Sequence, residues 1–210
     1  MSYLYPVYFK LDHKLCLVVG GGRVAERKIG SLLECGAVVR VVSPAVTPLI
    51  GQWNCQEKLE LRQREYQPND LDDAFLVFAA TNQPKVNQRI VKDCQMKNLP
   101  INVVDDPENC NFTVPSVVRR GRLSIAVSTK GASPMLAAKI RRQLAEQFGP
   151  EYGEFLEILA DLRQRILYEV EEIEERQEIF KKLIESDILE LLRENKHGQV
   201  KERIDKCLSR

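Results

Sequence analysis

Three consecutive glycines, Gly20-Gly21-Gly22, followed by Arg23-Val24-Ala25, carry the plainest chemistry in this 210-residue chain. Their spacing is that of a G-x-G-x-x-G/A turn between a strand and a helix. Gly20 lets the chain leave the strand sharply, and Gly22 lets main chain approach a ligand with no Cβ in the way. Ala25, in the third glycine's place, keeps the helix close to the sheet. The first N–H groups of that helix, with its partial positive charge, attract a pyrophosphate. The chemistry implied is dinucleotide binding. An acidic residue about 20 positions on normally holds the ribose hydroxyls; here the next strand ends instead at Ser43-Pro44, with Arg40 nearby. Ser43 suits a ribose hydroxyl but discriminates poorly against a 2′-phosphate, so the motif leaves the cofactor's 2′-substituent open.

A second candidate is Asp105, directly after the apolar run Ile101 to Val104 and before Asp106-Pro107. In an open α/β sheet, ligands bind outside the carboxyl ends of the strands. A carboxylate there serves either as a general base or as the cap of a turn, and the residues alone leave both open. Asp106 is the rival for either role. Downstream, Arg119, Arg120, Arg122, Lys130, Lys139, Arg141 and Arg142 form a local positive region suited to a carboxylate-rich ligand. Ser133-Pro134 reads as an N-cap followed by the first helical position.

These residues need elements to position them. Leu15–Val19 and Val38–Val42 read as buried strands, with a helix from Arg23 to Cys35 between them and Gly36 at its end. Leu59–Gln63 is a weaker strand candidate. Phe75–Ala80 and Ile101–Val104 are further strands, with a helix over Lys85–Met96. This alternation predicts a parallel sheet covered by helices on both faces. The pattern then changes to a hairpin, Val114–Arg119 and Leu123–Ser128, turning at Arg120-Gly121-Arg122. A helix from Ser133-Pro134 follows, with Leu136, Ile140, Leu144 and Phe148 on its packing face. Beyond Gly149-Pro150, Phe155 to Ile173 keeps the spacing of an amphipathic helix, and Ile179–Leu192 and Val200–Leu208 supply two more helices. The acidic run Glu169–Glu175 reads as a solvated helix face.

Composition narrows the classes. With 31 basic and 30 acidic residues the formal charge is +1, which argues against nucleic acid as the main partner. No run of about 18 apolar residues marks a membrane span, and Met1–Lys10 lacks the pattern of a signal peptide. Six scattered cysteines without a C-x-x-C pair suit a reducing, cytoplasmic setting. With only His13 and His197, no metal site is expected. No tyrosine has a lysine four positions on, so the Tyr-x-x-x-Lys pattern of short-chain reductases is absent.

Taken together, several segments resemble the precorrin-2 dehydrogenases, the family that includes the N-terminal module of siroheme synthase and a yeast dehydrogenase–ferrochelatase. They are Leu4–Phe9, Cys16–Lys28, Val41–Pro44, Ala79–Asn82, Ile101–Asp105 and Ser128–Pro134. The likeness covers roughly the first 145 residues well and the rest in general character. It implies an α/β chain: a Rossmann-type NAD-binding domain over residues 1–113, a small α+β dimerisation and substrate region over 114–148, and an all-helical module over 149–210. It implies NAD rather than NADP, a homodimer, and oxidation of precorrin-2 to sirohydrochlorin with Asp105 as base. Cofactor contacts are expected at Gly20, Gly22, Arg23, Val24, Ser43, Pro44 and Thr81, and substrate contacts at Asn102, Ser128 and Lys130. Two other readings stand beside this one. One is a bifunctional enzyme that also inserts iron, because metal insertion needs pyrrole deprotonation more than tight protein ligands. The other is a non-catalytic sensor of NAD state.

Overall fold

The computed structural model describes residues 3–209, which form two compact units meeting in sequence at Thr113 and Val114. Positions 1, 2 and 210, at the ends of the expected first and last domains, lie outside the described residues.

The first unit is the Rossmann-type sheet. Its strands β1 (Leu15–Val19), β2 (Val38–Val42), β3 (Glu60–Arg62), β4 (Leu76–Ala79) and β5 (Ile101–Val103) are all parallel, in the order β3-β2-β1-β4-β5. The helices are α1 (Arg23–Glu34), α2 (Pro48–Cys55) and α3 (Pro84–Met96). Successive strand side chains point to opposite faces, and both faces are covered. Cys16, Val18, Val39, Val41, Leu76 and Phe78 pack with Ala25, Ile29 and Leu32 of α1 and Ile50 of α2. Leu17, Val19, Val42, Val77, Ala79, Ile101 and Val103 pack with Ile90, Val91 and Cys94 of α3. That double burial is why β1 and β4 read as continuous apolar runs, while β2 is β-branched apart from Arg40, which pairs with Glu60. The sequence reading gave no helix at Pro48–Cys55, although Thr47 caps it and Pro48 opens it. Only Ile50 of its eight residues is buried, so it carries no amphipathic stripe.

Register fixes where the site falls. Val19 is level with Val42 on one side and Ala79 on the other, and Ala79 is level with Val103. Gly20, Ser43, Ala80 and Val104 therefore stand in one row at the carboxyl edge of the sheet. The chain passes from β1 to β2 on one side and returns to β4 on the other, so the topological switch lies beside Gly20.

The second unit begins with an antiparallel hairpin, β6 (Ser116–Arg120) and β7 (Leu123–Val127). Five helices follow: α4 (Pro134–Gln147), α5 (Glu151–Glu169), α6 (Ile173–Glu185), α7 (Ile188–Arg193) and α8 (His197–Leu208). Arg120 ties the hairpin to α4, its guanidinium donating to the carbonyls of Ala145 and Phe148 at 2.9 Å each. Phe155, Ile166, Leu183, Ile188, Leu192 and Val200 are central to the helical core. Three expectations change here. Residues 170–172 break the helix inside the acidic run, and Arg176 donates to the carbonyl of Val170 at 2.7 Å beyond the end of α5. The stretch Ile179–Leu192 is divided at Ser186-Asp187, where the Ser186 hydroxyl donates to the Leu183 carbonyl at 2.7 Å. In α4 the buried residue is Ala137, whereas Leu136 is 48% exposed.

At the β3 edge of the first unit lies one fully buried carboxylate, Asp70. It accepts from Arg62 at 2.7 Å, from Arg64 at 2.6 and 2.7 Å, and from the Gln67 N–H at 2.8 Å. Burial pushes its pKa up, but the two arginines and the backbone donor outweigh that and hold it at about 2, below the ordinary 3.8. A depressed folded-state pKa gives stability that is present above the unfolded value and is lost as pH falls through the folded one. The contribution is about 2 kcal/mol. Asp70→Asn is expected to lose about that much at neutral pH. It is also expected to flatten the acid dependence of urea unfolding between about pH 4 and 2.

Candidate dinucleotide and catalytic site

Each of the three glycines clears space for something different. A Cβ on Gly20 would lie 2.3 Å from the Ala80 carbonyl oxygen and 3.2 Å from the Thr81 nitrogen, and its φ of +125° disfavours any side chain. A Cβ on Gly21 would lie 2.1 Å from the Ala45 carbonyl oxygen and 2.9 Å from Ser43 Oγ. Gly20 thus lets the end of β1 lie on the end of β4, and Gly21 lets the segment after β2 close over the same corner. Around Gly22 a Cβ would meet nothing within 4 Å. Gly22 is the N-cap of α1, in extended conformation, with no side chain satisfying the first N–H groups of the helix. Those donors, normally capped by a Ser, Thr, Asp or Asn oxygen, here face exposed space beside Gly22, Arg23 and Val24. An anion of pyrophosphate size fits this arrangement, while Ala25 packs fully buried on the sheet.

The segment after β2 is fastened to this loop. The Thr47 N–H donates to the Gly21 carbonyl at 2.9 Å, and the Thr47 hydroxyl donates to Glu26 of α1. Ser43 is nearly buried, and its hydroxyl hydrogen goes to the Ala45 carbonyl at 2.7 Å. What Ser43 offers a ribose is therefore lone pairs, not a proton. Pro44 follows it at the surface. Across the switch point, the Thr81 hydroxyl bonds Asn87 of α3 at 2.6 Å and accepts from the Gln83 N–H at 3.1 Å. Thr81 thus holds the start of α3 beside the glycine corner.

Asp105 has φ +58°, in the left-handed region. Asp tolerates that conformation better than most residues, yet it still costs on the order of 1 kcal/mol. Three other non-glycine positive-φ residues, Glu57, Asn98 and Asn195, merely follow helix ends. Asp105 closes no helix. Its side chain is exposed, and among the described residues none takes its carboxylate. Asp106 differs: its carboxylate accepts from Asn109 at 2.7 Å within a single 3₁₀ turn, Pro107–Asn109. Asp106 thus holds the loop, and Asp105 is presented to solvent at the same sheet edge as the glycines. Two strand spacings, about 10 Å, separate the end of β5 from the end of β1.

Asn102, expected as a substrate contact, is half-buried and engaged within the protein. Its Oδ1 accepts from Lys28 Nζ at 2.9 Å, and its Nδ2 donates to the Phe112 carbonyl at 3.1 Å and lies 3.6 Å from Cys110 Sγ. Both ends of the amide are used inside the protein. Lys28 itself was missed. It lies three residues past Ala25 and next to Ile29 on the buried stripe of α1, a core-facing position for a lysine that the helical spacing makes visible. Its Nζ stands 5.0 Å from the centre of the Phe78 ring. Burial pulls its pKa below the ordinary lysine value, helped by Arg27, while Cys110 and Asp105 act in the opposite direction.

Ser128 and Lys130 belong to the second unit, in the loop between β7 and α4. The Ser128 hydroxyl accepts from the Lys130 N–H at 3.2 Å. Lys130 (φ +54°) and Gly131 (φ +82°) form a turn closed by Ala132 N–H to the Thr129 carbonyl at 3.0 Å. Ser133 caps α4, accepting from Leu136 N–H at 3.2 Å. Lys130, like Asp105, is an exposed charged residue held in a backbone region that side chains rarely adopt. Among the described residues no cluster of His, Cys, Asp or Glu could hold a metal ion, and no helix is long and apolar enough to cross a membrane.

Comparison with known proteins agrees with this geometry. A family model described as "Putative NAD(P)-binding" matches residues 7–116. "Sirohaem biosynthesis protein central" matches 120–147, and "Sirohaem synthase dimerisation region" matches 151–208. Siroheme synthase 2 of Yersinia pseudotuberculosis serotype O:1b is 36% identical over 98% of this chain and 44% of its own length. Siroheme synthase of Thioalkalivibrio sulfidiphilus is 33% identical over 97% of this chain and 42% of its own. The chain thus spans less than half the length of these relatives. Among solved structures, SirC, a precorrin-2 dehydrogenase, superposes with a TM-score of 0.79 at 29% identity, covering 97% of this chain and all of that one. With the NAD(P)-binding match over more than half its residues and both sirohaem matches following in order, the chain belongs to the family of NAD(P)-binding sirohaem biosynthesis proteins that these models describe.

Proposed function

We propose that this chain is an NAD-dependent precorrin-2 dehydrogenase that produces sirohydrochlorin, working as a homodimer. The observation that carries the proposal is an uncommitted Asp105 carboxylate on the same sheet edge as an uncapped, side-chain-free helix start. When bound, the nicotinamide cofactor accepts a hydride from the macrocycle. Gly20 and Gly22, with the N–H groups of Arg23 and Val24, would hold its pyrophosphate, and Ser43, Pro44 and Thr81 would contact its sugars. Asp105 takes the proton that must leave the tetrapyrrole as the hydride departs, so one C–H pair of electrons is lost and one proton is accepted. Ser128 and Lys130 serve as contacts for the substrate's carboxylates.

The choice of NAD is supported by the arginines of β2 and the β3 edge. Arg40 is paired with Glu60 at 2.7 Å, Arg62 with Glu60 and Asp70, and Arg64 with Asp70. A 2′-phosphate would have to compete with these carboxylates for its cations. The homodimer is supported by the dimerisation-region match and by large apolar side chains such as Met135 and Tyr168, 85% and 92% exposed. In functional terms the division is 1–113 for cofactor, 114–148 for substrate and dimerisation, and 149–210 for the helical module. Six free thiols fit a reducing cytoplasm.

Two variants test the reading. Asp105→Asn preserves a side chain tolerant of the left-handed turn and removes the base. Anaerobic NADH formation from precorrin-2 is expected to fall by about 10²- to 10⁴-fold, with NAD binding unchanged; an undiminished rate would falsify the role of Asp105. Gly22→Asp places a good N-cap on α1, so thermal stability should stay the same or rise by a few tenths of a kcal/mol. The same carboxylate would occupy the phosphate position, and calorimetric titration with NAD should show binding weakened by at least about tenfold, the effect of losing 1.4 kcal/mol. Retention of full affinity would place the cofactor elsewhere.

A further inference from the structure

We propose that Lys28 is a positioning residue, which holds the Asp105 turn in place relative to the phosphate-binding helix through its bond to Asn102. This rests on the function proposed above. The segment carrying Asp105 is a loop with two feet. One foot is β5 and the other is Cys110–Phe112, which runs beside it. The Ile101 N–H donates to Asn111 Oδ1 at 2.7 Å, and the Asn111 N–H returns to the Ile101 carbonyl at 3.1 Å. The Val103 N–H donates to Cys110 Sγ at 3.1 Å, and the Cys110 thiol lies 3.2 Å from the Asp106 carbonyl. Asn102 joins the feet through Nδ2 to the Phe112 carbonyl, and its remaining end, Oδ1, is taken by Lys28.

Lys28 is on α1, five residues after Arg23, where that helix begins. A single side chain therefore spans from the element that receives the pyrophosphate to the base of the loop that presents the carboxylate, over 74 positions of sequence. The aromatic pair beneath it is also shared: Lys28 lies over Phe78, and Phe78 packs edge-on against Phe112 at 5.4 Å. Half-burying an ammonium costs desolvation, and a methionine would fill the same space without it. The lysine is the residue that makes the bond to Asn102. Its function is alignment, because a shift of about 1 Å between hydride acceptor and base lowers turnover by about 100-fold.

The test uses the full chain with Lys28→Met, Asn102→Ala and the double variant. Lys28→Met is expected to leave the unfolding midpoint equal or higher and NAD affinity within about twofold, while kcat falls about 10- to 100-fold with little change in KM. Asn102→Ala should lower kcat similarly, and the double variant should fall no further than either single one, since both cut the same tie. Hydrogen exchange supplies a readout that needs no turnover: amides of residues 103–109 should exchange faster in Lys28→Met, with α1 unchanged. Unaltered exchange together with unaltered kcat overturns the inference. Faster exchange in a protein whose unmodified form oxidises no precorrin-2 leaves the tie standing and removes the proposed function instead. A lowered midpoint with kcat preserved reduces Lys28 to a packing residue and likewise overturns it.

Discussion

The end of β1 lies so close to the end of β4 that no side chain fits between them, and the site follows from that contact. With Gly20 against the Ala80 carbonyl and Gly21 against the Ala45 carbonyl, two neighbouring strand ends converge on one bare stretch of main chain. The third glycine has no such neighbour. Its packing does not require glycine, and a Ser, Asp or Asn would cap α1 slightly better. The proposed ligand uses both the open space and the unsatisfied N–H groups there. The turn itself requires the first two glycines, whereas the third leaves open space at the helix start.

Parallel register carries the consequence across the sheet. Because Val19, Val42, Ala79 and Val103 are level, whatever follows each strand emerges at one edge. The residues following β1, β2, β4 and β5 thus differ widely in sequence position and yet are neighbours in space. That part was legible in the sequence. Buried strands betray themselves as apolar or β-branched runs, and the glycine motif gains its meaning from lying between two of them. β1 and β2 fall at Leu15–Val19 and Val38–Val42, as the runs predict.

Other features were legible only in part, for a physical reason that differs in each case. The short helix α2 buries one residue of eight, so its periodicity is silent, even though its Thr-Pro start resembles the Ser-Pro start that revealed α4. The breaks at 170–172 and at Ser186-Asp187 interrupt stretches whose apolar spacing continues across them. They are set by side chains of Arg176 and Ser186 that take carbonyls which continued helix would otherwise use. The commitments of polar side chains were the least legible. Nothing local says that Asp106 is bound by Asn109 while Asp105 is not, or that Asn102 is spent on residues 28 and 112. A long-range hydrogen bond leaves no period in a sequence. The exception is Lys28, since a lysine on the apolar stripe of an amphipathic helix announces a buried partner before the partner is known.

The same distinction between occupied and unoccupied groups bears on cofactor choice. An arginine count near the end of β2 suggests a 2′-phosphate site, with Arg40, Arg62 and Arg64 all at hand. Their charges are already answered by Glu60 and by Asp70, whose carboxylate is fully enclosed and receives three backbone or side-chain groups. Drawing an arginine away to a phosphate would leave part of a buried negative charge uncompensated, a cost of several kcal/mol that a surface phosphate contact does not offset. Asp70 therefore links two properties that are usually discussed apart. By securing the β3 edge of the fold it also holds the cations that a phosphorylated ribose would need, so stability and the proposed choice of NAD draw on one carboxylate.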